Sequence, residues 1–414
     1  MTTKTTPGTV RPTAVAMAAL VLLMMIATPA AAGESSDQAI VMQLEEPDAL
    51  ARLATRYDVD FVSAVVPSRG LYLVRPSSGT TKSSDLKKVA KKLAKDPDVA
   101  WAELDSESSK PEDDRFHAWP QGSPVDVAYD PQRWREQDGL AYLRLDEVHQ
   151  RATGSDVLVA ILDTGVDVEH PSLQDHLADD GHHDYIDDDQ LPQETADGVD
   201  SDGDGHIDEA YGHGTHATGL IALVAPDARI VSYRVLDSDG VGNPYVVALA
   251  VNDAIDNGVD VINISFSMEG KPKSKVLKEA FKRAKKNNVV IVAAVGNRNM
   301  KSEQFPAREK DVIGVAAASR DNSELAWFSN HGKPAMVAAP GEDVVSTLPG
   351  GGFGAWSGTS MATPIVTGQA ALVRGRYPGT KLKVVTDRVG KSALKLQGKR
   401  KVDKGLIDIL RSLE

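Results

Sequence analysis

A chain of 414 residues, 41% of them hydrophobic, is long enough for two or three domains and can bury a large core. Its formal net charge of -13 argues against nucleic acid or an anionic membrane as the main partner, since either would select a basic field; an acidic surface suits a soluble secreted protein or one that binds cations. There is no cysteine, which excludes disulfides, thiolate nucleophiles and zinc-thiolate sites.

At the N-terminus, Lys4 and Arg11 are followed by an apolar run over 14–27 and then by Pro29, Ala30, Ala31 and Ala32. Charged, apolar and small-residue regions in that order read as a signal peptide over 1–32, and the apolar run is shorter than the ~20 residues a bilayer span needs. Residues 39–104 predict strand (39–44), helix (48–57), strand (59–65), strand (71–75), helix (84–95) and strand (99–104), the order of a small ferredoxin-like α+β unit taken as 33–104. Residues 105–132 are rich in Ser, Pro, Glu and Asp without a sustained period and read as an exposed linker open to proteolysis.

Beyond it, over 133–414, apolar runs at 157–162, 229–236, 259–264, 289–295, 312–318 and 336–339 lack apolar/polar alternation, which indicates strands covered on both faces. Helices are predicted between them at 245–257, opened by Pro244 and closed by Gly258, and at 274–287, ending in Lys285 and Lys286. The fold class is therefore α/β, a mainly parallel sheet with helices on both faces. Reactive groups in such sheets gather at the carboxyl ends of strands.

Four motifs fall at such places. Asp163 follows a buried strand in Ile161-Leu162-Asp163-Thr164-Gly165; taken alone it serves equally as a turn cap, and Asp-Thr-Gly also marks aspartic proteases. His213 in Gly212-His213-Gly214-Thr215-His216-Ala217 opens an apolar helix to about 223, between glycines that would let a substrate backbone approach. Paired histidines are also found in cores, on helix surfaces and at zinc, but neither His-Glu-x-x-His nor cysteine is present to support zinc. Ser360 in Gly358-Thr359-Ser360-Met361-Ala362-Thr363-Pro364 starts a helix to about 377, where unpaired N–H groups and the helix dipole favour developing negative charge; an ordinary N-cap is the competing reading. Asn297 closes Ala293-Ala294-Val295-Gly296-Asn297 and either turns the chain or donates its carboxamide to an oxyanion.

In conjunction, and in the chain order Asp163, His213, Asn297, Ser360, these motifs resemble the subtilisin family of serine proteases. The resemblance runs from about 130 to 414, with lesser marks at Gln304-Phe305-Pro306-Ala307, Trp327-Phe328-Ser329-Asn330-His331-Gly332 and Ala338-Ala339-Pro340-Gly341, and residues 39–104 resemble the family's inhibitory propeptide. It implies that Asp163 orients His213, that His213 takes the proton of Ser360 as it attacks a peptide carbonyl, and that Asn297 with the Ser360 backbone N–H holds the oxyanion. It also implies that the strand leading to Ser265, with Phe266, Ser267, Ala294 and Gly296, and opposite them Gly240 and Gly242, sandwiches an extended substrate as an added strand.

The chain departs from the family at Ser265-Phe266-Ser267, where Ser-Leu-Gly is usual; a side chain at 267 would intrude on a wall of the primary specificity pocket and disfavour large residues before the scissile bond. Arg298 after Asn297 is a second departure. Ahead of His213, Asp200, Asp202, Asp204 and Asp208 alternate with glycines like the opening of a calcium loop, with Tyr211 where a bidentate acid would fall and Asp208 or Glu209 as its substitute; a solvated acidic turn is the competing reading. The basic stretch 381–411 reads as the charged outer face of terminal helices.

The expectation is a monomeric, secreted serine endopeptidase, extracellular or periplasmic, with polypeptide substrates, its own propeptide as inhibitor, a structural calcium ion and no metal in the chemistry. The rivals are an aspartic protease, disfavoured by the single Asp-Thr-Gly, and a catalytically silent binding module of the same fold, for which the intact motifs give no reason.

Overall fold

The computed structural model describes residues 39–46, 49–104, 130–267, 274–301 and 304–414. The expected signal segment 1–32 and residues 105–129 of the expected linker lie outside them. The chain divides into two compact units, with the break between Asp105 and Ser106.

The first unit runs β1 (Ile40–Leu44), α1 (Leu50–Tyr57), β2 (Val59–Val66), β3 (Leu71–Pro76), α2 (Ser83–Leu93), β4 (Val99–Leu104). Its antiparallel sheet has the order β2-β3-β1-β4, the ferredoxin-like arrangement of a βαββαβ chain. Leu50 and Leu53 on α1 and Leu86, Ala90 and Leu93 on α2 recur at helical spacing and bury one face of each helix over Ile40, Met42 and Val74.

The second unit opens with a short helix at Pro131–Arg135, capped by Asp130, whose Oδ1 accepts the Arg133 N–H at 2.8 Å. This helix begins within the segment read as linker, at 131. Its sheet contains eight strands, all paired in parallel, in the order β14-β11-β10-β9-β8-β5-β7-β6. They are β5 (Leu158–Asp163), β6 (His183–Asp184), β7 (Arg229–Arg234), β8 (Val261–Ile264), β9 (Val290–Ala294), β10 (Val312–Ala318), β11 (Val337–Pro340) and β14 (Gly405–Leu406). An antiparallel hairpin of β12 (Val344–Leu348) and β13 (Gly352–Trp356) stands apart from it.

Along β5 and β8, Val159, Ile161 and Val261 join one core cluster with Leu220, Ile221, Ile365 and Val366, while the intervening Ala160, Leu162, Ile262 and Ile264 are equally buried. Successive side chains in a strand face opposite ways, so both faces of the sheet are covered, as the uninterrupted apolar runs predict. On one face lie α3 (His213–Val224) and α6 (Thr359–Arg376), packed on each other and buried almost throughout. A helix that is apolar all round needs such a place. The pair α4 (Pro244–Asp256) and α5 (Lys275–Lys286) pack together, with α4 on β5 and α5 on β9. Their N-caps are Asn243, accepting from Tyr245 N, and Ser274, accepting from Leu277 N. Among the described residues no helix is long and apolar enough to cross a membrane.

Candidate active site

Asp163 ends β5, Ser265 follows β8 and Asn297 follows β9, and these three strands are immediate neighbours in the parallel sheet. Their carboxyl ends therefore lie side by side on one edge of the sheet, about 4.8 Å apart from strand to strand. Two buried helices start at the same edge, α3 with His213 as its first residue and α6 with Ser360 as its second.

Asp163 is wholly buried and its Oδ1 accepts the His213 Nδ1–H at 2.5 Å and the Thr164 N–H at 2.9 Å. With Nδ1 as donor, Nε2 is the ring's basic position. The backbone behind Asp163 is held as well, since its carbonyl accepts from Val235 N at 2.8 Å and Leu236 N at 3.2 Å, at the end of β7.

Ser360 is locked to Ser265 reciprocally. The Ser360 Oγ–H donates to the Ser265 carbonyl at 2.6 Å, and the Ser265 Oγ–H donates to the Ser360 carbonyl at 3.0 Å. The second bond follows from Pro364: four residues beyond Ser360 it has no N–H to offer, which leaves the Ser360 carbonyl for Ser265. Asn263 Nδ2–H donates to Ser265 Oγ at 2.9 Å, and its Oδ1 accepts from Thr367 Oγ1 at 2.8 Å, so Asn263 of β8 and Ser265 just beyond it are tied to α6 at Thr367 and Ser360, about two turns apart. Asn297 Oδ1 accepts the Thr359 N–H at 2.8 Å, and Thr359 Oγ1 accepts the Gly296 N–H at 3.1 Å. With Oδ1 so engaged, the carboxamide turns its Nδ2H2, a donor suited to developing negative charge, to its other side.

The glycines around His213 serve packing. A Cβ on Gly214 would stand 2.0 Å from the Gly165 carbonyl oxygen, and one on Gly212, at φ +98°, 3.1 Å from the Trp356 ring. The reading that they admit a substrate backbone is corrected: they admit the Asp163 loop and the β13 tryptophan. His216 is a core residue, its ring stacked on Trp356 at 4.9 Å with Nε2 donating to Val344 O at 3.1 Å and Gly354 O at 3.2 Å. Burial lowers it to about 3, so it is neutral at working pH. The two histidines of the motif thus have different jobs.

The segments expected along a substrate are found in two places. After β8, Phe266 is only 3% exposed, so its contribution to any substrate contact is confined to its backbone. Ser267 Oγ–H donates to Gln304 Oε1 at 2.8 Å, and a Cβ on Gly296, which follows Ala294 at φ +92°, would stand 1.9 Å from that same oxygen. Gln304 therefore occupies the space between Gly296 and Ser267. Arg298 N and Met300 N both donate to Asn330 Oδ1 at 3.0 Å, and Asn330 Nδ2 donates to Val295 O at 2.8 Å, so the Asn330 of the tryptophan-containing motif clamps the loop that carries Asn297. Gly240, at φ +77°, and Gly242 lie in a tight turn after β7, where a Cβ on Gly242 would meet Leu236 Cδ2 at 2.4 Å.

Of the four carboxylates expected to hold a metal, the structure brings together three: Asp200, Asp202 and Asp204 each offer an oxygen within 4.8 Å of the others. These hard oxygen donors fit calcium. Asp208 does not join them. Its Oδ1 accepts from Asp197 N at 2.9 Å and Gly198 N at 3.1 Å, closing the base of the loop. Asp239 ties that loop to the turn after β7, accepting from Asp208 N at 2.6 Å and Ser201 N at 2.5 Å.

Glu194, which no motif marked, is buried beside the Asp163–His213 pair at 2% exposure. Its Oε1 accepts from Gly212 N at 2.9 Å and from the Thr164 hydroxyl, and its Oε2 from Thr215 N at 3.0 Å and from the Thr215 hydroxyl. Burial raises its carboxyl above the ordinary value, against the pull of the Thr164 and Thr215 hydrogen bonds. A lone glutamate 19 residues before His213 carries no local sequence signal.

What these strand ends carry is the chemistry of a serine hydrolase. Comparison with known proteins narrows the class: residues 154–405 match the model of the subtilase family. The chain is 33% identical to subtilisin E of Bacillus subtilis (strain 168) over 336 residues, 78% of this chain and 77% of the relative. It is 30% identical to a thermostable alkaline protease of Halalkalibacterium halodurans over 405 residues, 95% of this chain and 97% of the relative. Among solved structures, a cold adapted subtilisin-like serine proteinase matches with a TM-score of 0.55 and 28% identity, covering 62% of this chain and 90% of that one. Fervidolysin from Fervidobacterium pennivorans shares the fold, with a TM-score of 0.66 over 92% of this chain and 61% of its own at 24% identity. The chain belongs to the subtilase family and is a serine endopeptidase.

Proposed function

We propose that this endopeptidase acts through a triad of Ser360, His213 and Asp163, with Asn297 as oxyanion donor, and that it is made as a secreted zymogen. The observation that carries the reading is the buried 2.5 Å contact between His213 Nδ1 and Asp163 at the end of β5, next to β8, whose following residue Ser265 bonds Ser360 at the start of a buried helix. The Ser360 Oγ–H turns from the Ser265 carbonyl to His213 Nε2, which takes the proton as Oγ adds to the peptide carbonyl, Asp163 stabilises the imidazolium, and the Asn297 Nδ2–H and the Ser360 N–H receive the oxyanion. Collapse of that intermediate expels the amine with the proton from His213 and leaves an acyl-enzyme on Ser360, which water hydrolyses by the same steps in reverse.

Substrate enters as an added strand between the segment Ser265-Phe266-Ser267 and the turn at Gly240 and Gly242, beside Ala294 and Gly296. Gln304 held on Ser267 supports a preference for small residues before the scissile bond. Residues 1–32 serve as signal peptide, 33–104 as inhibitory propeptide removed by cleavage within 105–132, and the enzyme works outside the cytoplasm as a monomer. Asp200, Asp202 and Asp204 hold a structural calcium ion, which keeps the loop ahead of His213 in place and takes no part in the chemistry.

Ser360→Ala tests the reading. The variant is expected to stay folded, to hydrolyse no peptide and to keep 33–104 covalently attached, as seen by mass spectrometry of the purified chain. Self-processing at the parental rate would refute it.

A further inference from the structure

Helix α3 places His213 at its first position, yet it supplies no cap of its own. Its N-cap is Gly212, without a side chain, and its first turn has no acidic residue. The orphan N–H groups of such a turn need an acceptor, and here Gly212 N and Thr215 N find it in Glu194, 18 and 21 residues back along the chain. Of the two remaining donors to Glu194, the Thr215 hydroxyl belongs to the same helix and the Thr164 hydroxyl reaches the other member of the pair. Thr164, next to Asp163, gives its hydroxyl proton to Glu194 Oε1, accepts the Gly214 N–H at 2.9 Å on the same oxygen, and lies 3.4 Å from Asp163 Oδ1. One carboxylate is therefore bonded to Gly212 just before His213, to Thr215 two residues after it, and to Thr164, the residue after Asp163.

The donors also favour the charged form, against the burial that raises this carboxyl above its ordinary value. Thr164 Oγ1 receives Gly214 N and Thr215 Oγ1 receives Asp167 N at 2.9 Å, and their hydroxyl protons are offered to Glu194, that of Thr164 in competition with Asp163 Oδ1 at 3.4 Å. Four donors converge on two oxygens, an arrangement that favours the carboxylate over the neutral acid. The groups around it leave this negative charge uncompensated: Asp163 and Asp167 are acidic, His216 is neutral at working pH, and Tyr211 is pushed above its ordinary value by burial and then by Glu194 and Asp167. His213 is the group nearby that gains a positive charge during the reaction.

We propose that Glu194 is a positioning residue of the active site, which caps the His213 helix, locks it to the Asp163 turn and adds a second buried negative charge that stabilises the His213 imidazolium. This rests on the triad reading above. Ser360→Ala in parallel separates the two, because an active Ser360→Ala enzyme would refute the triad whatever Glu194 does.

The test is Glu194→Gln in the full chain, matured in trans by the parent enzyme, with active sites counted by acyl-enzyme burst. Gln keeps the shape but removes the charge and turns an N–H group toward donors. The expected result is a fall in kcat of about ten- to a hundredfold per titrated site, as for a displaced catalytic group, with KM within about twofold. The acid limb of the kcat profile should move down by about one pH unit, because an anion near an imidazolium raises its pKa. Glu194→Asp, which restores the charge, should return the acid limb to its parental position even where kcat stays reduced. Parental kcat and acid limb in Glu194→Gln would overturn the proposal, and so would an unmoved limb with kcat loss, which would leave Glu194 a purely structural cap. If Glu194→Gln does not fold, Thr215→Val decides the positioning role by removing one hydroxyl donor: about a tenfold fall in kcat at parental KM supports it, and parental kcat overturns it.

Discussion

His216 offers a sharp test of how the Gly212–Ala217 motif divides its two histidines. Its ring is fully buried against Trp356, its Nε2–H is spent on two backbone carbonyls, and its buried Nδ1 has no hydrogen-bond partner among the described residues, so protonation would bury a poorly compensated cation. Burial lowers it from 6.5 to about 3. In the unfolded chain the same imidazole takes up a proton as pH falls through 6.5. The stability that the neutral ring contributes is thus complete above pH 6.5 and drains away at about 1.4 kcal/mol per pH unit from there toward pH 3. At pH 5 the loss is about 2 kcal/mol, worth roughly 5 °C in the melting midpoint of a domain of this size. The assay is chemical denaturation and melting at pH 7 and pH 5 in a Ser360→Ala background, which prevents self-digestion, with and without His216→Gln. Glutamine keeps an N–H near the Nε2 position but does not titrate. It should lower stability at pH 7 and flatten the dependence between pH 7 and pH 5 by about 2 kcal/mol, the other titrating groups cancelling in the comparison. Parallel pH profiles for the two proteins would refute the assignment of His216 to the core as a neutral residue.

Asn297→Ala should lower kcat by about a hundred- to a thousandfold with KM little changed, the signature of a lost oxyanion donor; an unchanged turnover number would remove Asn297 from the mechanism. Ser267→Gly releases Gln304 from its hydrogen bond and should shift cleavage toward larger residues before the scissile bond, measured by mass spectrometry of a digested protein mixture. Identical cleavage maps would show that position 267 does not line the pocket. Calcium at about a hundredfold over Kd should add roughly 2.7 kcal/mol to stability, and chelation should lower the melting midpoint and speed self-digestion. Asp202→Ala/Asp204→Ala should abolish the protection, and equal protection of that variant would place the cation elsewhere. Gly214→Ala should give little folded, active enzyme, because its Cβ would collide with the Gly165 carbonyl 2.0 Å away; parental expression and activity would contradict that packing.

The linear chain by itself determined what is local. Six apolar runs announced the central strands because a strand covered on both faces needs no polar alternation, and the four motifs announced Asp163, His213, Asn297 and Ser360 because each combines a reactive group with the turn residues that leave it at an element's end. Strands β6 and β14 escaped because two residues have no period, and β12 and β13 because they pair only with each other. The acidic loop showed where carboxylates are dense. Only the fold decided that Asp208 turns to the Asp197 and Gly198 amides while the other three converge, since the direction of a side chain depends on the backbone around it. It likewise decided that the glycines flanking His213 make room for Gly165 and Trp356, that His216 is core, and that Gln304 fills the gap beside Gly296. Glu194 shows the limit most plainly. Its four donors come from Thr164, Gly212 and Thr215, and their convergence exists only once β5 and α3 have packed, so no window of sequence contains it.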